Sequence, residues 1–249
     1  ETLYICGTDE YGTATETKAA QEGLSPREIC DKYHAIHKNI YEHFNISFDA
    51  FGRTSTDIHT ETVQEIFKRV AAEDHFKIVE NEQFYSESMS KFLADRLING
   101  TCPKCGYDDA RGDQCDGCGT LLTPTELIDP KCSVDKSTPI LKSTKHLHLN
   151  LPELSSDLAT WQNHSIEAGH WPNNADTTTR SWMKRGLESR AITRDLKWGV
   201  PVPYEGFTDK VFYVWFDAPI GYVSITRGAY PDTWKNWWHD PDNTLLYQF

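Results

Sequence analysis

The sequence predicts an α/β fold in which a parallel sheet of the doubly wound type is interrupted by a long insertion. Strand-like and helix-like segments alternate over roughly the first 75 residues, which is the pattern of parallel strands joined by crossover helices. From about Lys77 short, turn-rich segments surround a group of cysteines, and a buried-strand pattern returns near Lys210. We therefore expect residues 1–76 and 210–249 to form the core and residues 77–209 to form the insertion.

The first core segment opens with a short apolar strand, Leu3 to Cys6, which breaks at Gly7 into a polar turn. A helix is predicted next, because Ser25 suits the N-cap, Pro26 suits the first helical position, and Glu28 completes a capping box. One apolar stripe then follows at helical spacing, formed by Ile29, Tyr33, Ile36, Ile40 and Phe44. We expect this helix to pack against the sheet along that stripe. The segment "SFDAFGRTS" predicts a second strand. A second amphipathic helix is marked by Val63, Ile66, Phe67 and Val70.

Three further segments carry a pattern beyond the cysteines. Leu147, Leu149 and Leu151 alternate with polar residues, which predicts a half-exposed strand. The segment "TTTRSWMKRGL" has a helical pattern, and we expect "KVFYVWFDAPIGYVSI" to be a buried strand of the core.

Composition limits the class of protein. A chain of 249 residues is long enough for one large domain or two smaller ones, each with a buried core. Its net charge of -12 argues against a broad surface for phosphate backbones, so that any nucleic acid would be held locally. No apolar run reaches the roughly 18 to 20 residues of a membrane span, and the first residues carry no secretory signal. We therefore expect no membrane partner.

Four of the seven cysteines form two Cys-x-x-Cys pairs, each closed by a glycine, within "CPKCGYDDARGDQCDGCG". The four are Cys102, Cys105, Cys115 and Cys118. Each glycine lets the backbone fold back so that its N–H groups face the thiolates, and four sulfur ligands favour one tetrahedral zinc. A disulfide would need an oxidising compartment, and a thioredoxin-like couple would need a single pair at a helix N-terminus. Because all four ligands are sulfur, the predicted zinc knuckle, about residues 100–120, is structural. Cys132 in "DPKCSVDKS" resembles the remnant of another knuckle without a nearby partner.

Two predicted strand ends carry chemically distinctive residues. Asp9 and Glu10 follow the first strand, and an aromatic and small-residue group lies in "FYVWFDAPIGY". That group comprises Trp215, Asp217, Ala218, Pro219 and Tyr222. Ligands of doubly wound sheets bind beyond the carboxyl ends of the strands, and an acid opposite an apolar wall suits an amino acid. The alternative is that Asp9 caps a turn and Trp215 fills the core.

Several long segments make the chain recognisable. They are "YICGTDEYGTATETKA", "FLADRLINGTCPKCGYDDARGDQCDGCG", "RAITRDLKWGVPVP" and "VFYVWFDAPIGYVSIT". Together with "FGRT" and "PTELIDPKC" they closely resemble the family of cytoplasmic methionyl-tRNA synthetases, in order from Tyr4 to about Phe249. The resemblance implies a class I aminoacyl-tRNA synthetase, with a Rossmann-type catalytic core split by a connective peptide that carries zinc knuckles. Another class I synthetase for an apolar amino acid matches "DAPIGY" and "GDQCDGCG" less well.

The resemblance also implies residue roles. Asp9 corresponds to the acid that holds the methionine ammonium group, and Arg194 corresponds to an arginine implicated in the activation step. The methionine pocket corresponds to Trp215, Ala218, Pro219 and Tyr222. An alternative for Arg194 is an ion pair with a core carboxylate. The implied reaction is translation chemistry in the cytoplasm: methionine and ATP, with magnesium as the counter-ion of ATP, give methionyl-adenylate, and tRNA(Met) then takes the methionyl group.

The sequence departs from the family in two ways. It contains neither a His-Ile-Gly-His-like nor a Lys-Met-Ser-Lys-Ser-like segment, so we expect an internal segment of the catalytic domain that is inactive when isolated. Relatives with two zincs have further cysteine pairs where this chain reads "FYSESMSK" and "CSVDKS", so we expect one zinc. A contrasting interpretation is a zinc-knuckle module that binds RNA or protein without catalysis.

Overall fold

A computed structural model describes residues 1–120 and 122–246, without the side chain of Arg96. The last three residues of the predicted core segment 210–249 therefore lie outside the described residues. The helices described are α1 (Thr13–Glu22), α2 (Pro26–His43), α3 (Asp57–Ala72), α4 (Leu151–Gly169), α5 (Asn173–Arg185), α6 (Val214–Asp217), α7 (Gly221–Ala229) and α8 (Trp234–Trp238). The strands of the first half are β1 (Ile5–Thr8), β2 (Ala50–Arg53), β3 (Phe76–Ser86), β4 (Lys91–Phe92), β5 (Ile98–Thr101) and β6 (Ala110–Arg111). Those of the second half are β7 (Ile128–Cys132), β8 (Ile140–Leu149), β9 (Arg190–Ala191), β10 (Thr193–Arg194) and β11 (Val211–Phe212).

The core contains a parallel pair of strands, β1 and β2, which are connected through α1 and α2. Helix α7 packs directly on both strands at two glycines. A Cβ on Gly7 would lie 2.5 Å from Cδ1 of Ile225, and one on Gly52 would lie 2.6 Å from Cγ1 of Ile225. The absence of side chains at these two positions is what lets the helix that follows the 214–220 turn approach the sheet.

Helix α2 begins as the sequence predicts but packs differently from the expectation. The hydroxyl of Ser25 accepts from the Glu28 amide at 3.2 Å, and the Glu28 carboxylate accepts from the Ser25 amide at 2.8 Å. Ile29 is buried, whereas the later part of the predicted stripe is exposed at Ile36, Ile40 and Phe44. A helix of 18 residues spans about 27 Å, and four-residue strands span only about 13 Å, so the short pair does not cover the whole stripe.

The residues between the two core segments form antiparallel sheets. One has the order β4-β3-β8-β9, with β3 and β8 paired from Phe76 opposite Leu149 to Tyr85 opposite Ile140. The other has the order β6-β5-β7 and carries the cysteine pairs beside its strands. The predicted strand around Leu147 and the predicted helix in "TTTRSWMKRGL" are both present, as β8 and α5, while Leu151 already belongs to α4.

The expected long strand in "KVFYVWFDAPIGYVSI" is wrong beyond Phe212. The strand β11 has two residues and pairs antiparallel with β10, and the rest of the run forms α6, a short 3-10 turn at Ala218–Ile220 and α7. A continuous apolar run does not distinguish a strand from a helix, and here its last part, α7, packs against α3, β1 and β2 while Trp215 and Pro219 stay exposed. The fold is thus a mixed α/β arrangement. None of the helices in the described part of the chain combines the length and the apolar composition that a membrane crossing requires.

One apolar cluster joins the core to the antiparallel region. It combines residues of α3, β8 and the segment from 192 to 212: Val63, Phe67, Leu147, Ile192, Val200, Val202, Phe207 and Phe212. Phe67 stacks on Phe76 at a centroid distance of 5.2 Å and contacts Phe212 in a tilted arrangement at 5.0 Å. A second cluster lies under the cysteine sheet and includes Phe84, Leu93, Leu97 and Ile98. The second cluster packs around the cysteine region and the first packs beside the core strands, so the two regions have separate apolar cores.

Candidate metal centre and amino-acid site

The four predicted ligand sulfurs converge on one point. All the Sγ atoms of Cys102, Cys105, Cys115 and Cys118 lie within 4.8 Å of one another. The Cys102–Cys118 and Cys105–Cys115 sulfur distances are 4.0 and 3.6 Å. Four sulfurs at about 2.3 Å from a tetrahedral zinc are about 3.8 Å apart, so the arrangement fits one zinc ion.

Two turns of the same geometry build this centre. The Gly106 amide donates to the Cys102 carbonyl at 3.0 Å, and the Gly119 amide donates to the Cys115 carbonyl at 2.8 Å. Both glycines have left-handed φ angles, 76° and 72°, which glycine adopts without strain. Hydrogen bonds to Thr120 lower the pKa of the Cys118 thiol, which favours the thiolate form that a zinc ligand requires. With four sulfur ligands the site leaves no position for a water or a substrate.

Cys132 begins a third turn of the same kind, at the end of β7, which is an edge strand of the same three-stranded sheet. Its amide donates to the Ser137 carbonyl at 2.9 Å, and Lys136, at φ 60°, donates to the Cys132 carbonyl at 3.0 Å. The buried Sγ of Cys132 lies 3.8 Å from Sδ of Met89, and Ser88 donates a hydrogen bond to Asp135. The structure therefore gives Cys132 the partner that sequence reasoning missed: a thioether rather than a second thiol.

Asp9 lies at the carboxyl end of β1 and is one of the residues that line a cavity of about 200 Å³ between this strand end, α1 and α2. Residues 214–222 do not line this cavity. Glu10 turns inward and is buried, where it accepts from Thr8 at 2.8 Å and from Arg53 at 2.8 Å. Asp9 keeps an exposed surface, but partial desolvation of its carboxylate, followed by the negative charge of Asp217, raises its pKa to about 6. The two neighbouring acids therefore differ. Glu10 stabilises the turn by accepting hydrogen bonds from protein side chains, whereas Asp9 remains available to bind a small molecule.

The structure places the 214–222 segment beside the same strand end. A Cβ on Gly12 would lie 3.4 Å from Cγ1 of Val214, and the charge of Asp217 acts on Asp9. Burial, followed by the charge of Cys6 in β1, raises the pKa of Tyr222. The four predicted pocket residues are partly accessible: Trp215 (77% exposed), Pro219, and the half-buried Ala218 and Tyr222.

Arg194 lies on β10, which pairs with β11 just before this segment. Its Nη1 donates to the carbonyls of Thr193 and Ala191 at 2.8 and 3.2 Å, and the guanidinium lies 4.0 Å from the ring centre of Tyr213. Burial lowers the pKa of Arg194, but an arginine remains charged at neutral pH. The adjacent carboxylate of Asp195 instead pairs with Lys210 and with His146, the latter at 3.1 Å.

His59 is a buried residue of this region that sequence reasoning missed. It lies on α3 with no exposed surface, and its ring nitrogens contact Ser224 at 2.8 Å and Asp217 at 3.1 Å. Its spacing in the sequence could have identified it as buried. His59 precedes Val63 and Phe67 by one and two helical turns, so it lies on the same buried face of α3. A histidine on such a stripe needs partners for both ring nitrogens.

Comparison with known proteins finds similarity along the whole chain. A family model described as "tRNA synthetases class I (M)" matches residues 1–249. The probable cytoplasmic methionine–tRNA ligase of Schizosaccharomyces pombe is 57% identical over 248 residues, covering 100% of this chain and 32% of that protein. The human cytoplasmic methionine–tRNA ligase is 55% identical over 248 residues, covering 100% of this chain and 27% of that protein. The chain thus spans about a third or less of the length of these relatives.

A solved structure has the same fold. The crystal structure of Mycobacterium tuberculosis methionyl-tRNA synthetase bound by methionyl-adenylate aligns with a TM-score of 0.62 at 22% identity, covering 94% of this chain and 40% of that one. At this identity the likeness concerns the fold.

Proposed function

The chain belongs to the class I (M) tRNA synthetase family, and from this premise we propose that it forms the methionine-binding part of a methionine–tRNA ligase. The full-length protein would join methionine to ATP, release pyrophosphate, and transfer the methionyl group from the adenylate to a terminal ribose hydroxyl of tRNA(Met). The observation that carries the proposal is that the turn after β1, which holds Asp9, lies against the 214–222 segment, with Gly12 next to Val214. A zinc-knuckle module without catalysis is less well supported, because the family match covers the whole chain and not the cysteine region alone.

Asp9 is proposed to hold the substrate ammonium group. With a pKa of about 6, its carboxylate is mostly ionised at neutral pH and accepts a charge-assisted hydrogen bond. Asp9 is exposed, whereas the neighbouring Glu10 is buried and already accepts hydrogen bonds from protein donors. The substrate carboxylate is then free to face the α-phosphate of ATP.

The methionine side chain is proposed to lie against Trp215, Ala218, Pro219 and Tyr222. The large exposed face of Trp215 offers an apolar surface that the described protein residues leave uncovered. A thioether gains about 0.3 to 1.5 kcal/mol from each sulfur–aromatic contact, and Ala218 leaves room for an unbranched chain. These contacts would favour methionine over branched amino acids.

Arg194 is proposed to stabilise negative charge during adenylate formation. Displacement at phosphorus needs positioning and charge stabilisation more than covalent help from the protein. Two backbone carbonyls and the Tyr213 ring hold the guanidinium in one orientation, which lowers the cost of ordering it. ATP and its magnesium counter-ion would be bound largely by parts of the full-length protein other than this chain.

The four cysteines are proposed to hold one structural zinc. Four thiolates fill all the positions of a tetrahedral metal, so a bound zinc would crosslink the two turns and take no part in catalysis.

We further propose that residues 1–76 and 210–249 belong to a Rossmann-type core and that residues 77–209 form the connective peptide. The parallel β1–β2 pair supports the first assignment, and the antiparallel sheets of residues 76–191 support the second. The names of the relatives support a cytoplasmic location.

Calorimetric titration of the full-length protein with methionine tests this function. We expect saturable binding of methionine, much weaker binding of leucine, and binding weakened by Asp9→Asn but not by Asp109→Asn. Asp109 is the matched control, because it is an exposed aspartate of the cysteine region. Equal binding of methionine and leucine, or full binding by the Asp9→Asn variant, would contradict the assignment.

A further inference from the structure

A buried polar cluster joins helix α3 to the turn between α6 and α7. It consists of His59, Asp217 and Ser224, whose exposed fractions are 0%, 0% and 3%. The His59 ring lies 2.8 Å from the Ser224 hydroxyl through Nδ1 and 3.1 Å from the Asp217 carboxylate through Nε2. A buried carboxylate is costly unless it is paired, so this contact is the reason that Asp217 is tolerated in the interior.

The hydrogen bonds of Ser224 place a proton on Nδ1 of His59. The Ser224 hydroxyl donates to the Gly221 carbonyl at 3.0 Å, so its oxygen accepts from Nδ1–H of His59. Nε2 of His59 then faces Oδ2 of Asp217, and one proton lies between them. The pair is either an imidazolium with a carboxylate or a neutral imidazole with a carboxylic acid. Oδ1 of Asp217 has no hydrogen-bond partner within residues 1–120 and 122–246, so His59 is the side chain that anchors this carboxylate there.

Both halves of the proposed amino-acid site rest on this cluster. On one side, the ring of Tyr11, two residues after Asp9, lies 6.2 Å from the His59 ring. On the other side, Asp217 and Ser224 bracket the turn and the first residues of α7, which include the pocket residues Ala218 to Tyr222. The imidazole of His59 is therefore one of the contacts between the acid side and the pocket side, together with the packing of Ile225 on Gly7 and of Val214 beside Gly12.

We propose that His59 is a positioning residue of the amino-acid site, which through Asp217 holds the 217–222 turn at the distance from Asp9 that a methionine requires. The inference rests on the proposed function, since it assigns His59 to the same site. His59 touches no substrate. It acts through the side chains that it orients, and its effect should fall on methionine and spare ATP.

Two amide substitutions separate the two hydrogen bonds of His59. The side-chain nitrogen of glutamine reaches the place of Nε2 and can donate to Asp217, whereas that of asparagine reaches the place of Nδ1 and Ser224. In pyrophosphate exchange by the full-length protein, we expect His59→Ala to raise the KM for methionine about tenfold. The KM for ATP should stay within about twofold, His59→Gln should restore most of the methionine affinity, and His59→Asn should not.

Two controls make the outcome decisive. His164→Ala replaces an exposed histidine of α4 and should leave both KM values unchanged. If His59→Ala does not fold, the comparison of the Gln and Asn variants decides alone. Equal KM values for methionine in those two variants, or parallel rises of both KM values without rescue by Gln, would overturn the positioning role. An inactive wild-type protein would instead refute the proposed function.

Discussion

If Asp9 holds the ammonium group as proposed, methionine binding should weaken at mildly acidic pH, because only the ionised carboxylate attracts that group. With the pKa of Asp9 raised to about 6, the carboxyl is about 97% ionised at pH 7.5 and about 9% ionised at pH 5.0. If methionine binds the ionised form, its apparent Kd should therefore rise about tenfold over this range. With an unshifted pKa of 3.8 the same range would change the Kd by less than about 10%.

The assay is equilibrium titration of the full-length protein with methionine at half-unit steps of pH. Other ionisable groups in this region include Glu10, Lys18, His34, His37 and Asp217, so the Asp9→Asn variant is the control that isolates Asp9. This variant should bind about 5 to 10 times more weakly at pH 7.5, since a charge-assisted hydrogen bond becomes a neutral one. Its Kd should also lose most of the pH dependence. Tryptophan fluorescence without ligand checks that the fold persists at each pH. A flat wild-type profile, or an equally steep one in Asp9→Asn, would refute the reasoning.

Three further predictions concern the metal, the activation step and the core. Metal analysis should find one zinc per chain, which Cys105→Ser should abolish and Cys132→Ser should retain, because the Cys132 sulfur faces a thioether outside the four-sulfur set. Equal zinc loss in both variants would contradict this. Arg194→Gln should lower kcat for pyrophosphate exchange by about 100-fold or more with little change in the KM for methionine, and an unchanged kcat would remove Arg194 from the activation step. Phe67→Ala should cost about 3 to 5 kcal/mol in urea unfolding, whereas Phe44→Ala, at a position 67% exposed, should cost less than about 0.5 kcal/mol. Similar costs for these two variants would contradict the assignment of Phe67 to the shared apolar cluster.

Features set by neighbouring residues were the predictable part of this fold. The capping box at Ser25 and Glu28 forms as the sequence indicates, because both hydrogen bonds close within four residues. The two Cys-x-x-Cys-Gly turns are equally local, and their glycines take the left-handed conformation that the motif requires. Only nine residues separate the two turns, so bringing their four sulfurs together requires no contact distant in sequence. The metal centre was therefore predictable as well.

Long-range packing explains what the sequence did not reveal. The apolar run after Lys210 forms mostly helix. Its apolar residues are nearly continuous, so the sequence shows no helical period there, and the contacts of α7 with α3, β1 and β2 join residues far apart in the chain. Helix α1 was expected only as a polar turn, since the stripe that would mark it is weak and Ala19 is its one buried residue among those described. His59 was missed because its partners lie 158 and 165 residues away, and nothing near it in sequence indicates a carboxylate or a hydroxyl.

Amino-acid-dependent exchange of pyrophosphate into ATP by the full-length protein is the most direct test that this chain binds methionine for activation. The account predicts exchange with methionine, little or none with leucine or isoleucine at equal concentration, and a raised KM for methionine in Asp9→Asn and in Trp215→Ala. Exchange that is absent with methionine, or equally strong with leucine, or indifferent to both substitutions, would contradict the account.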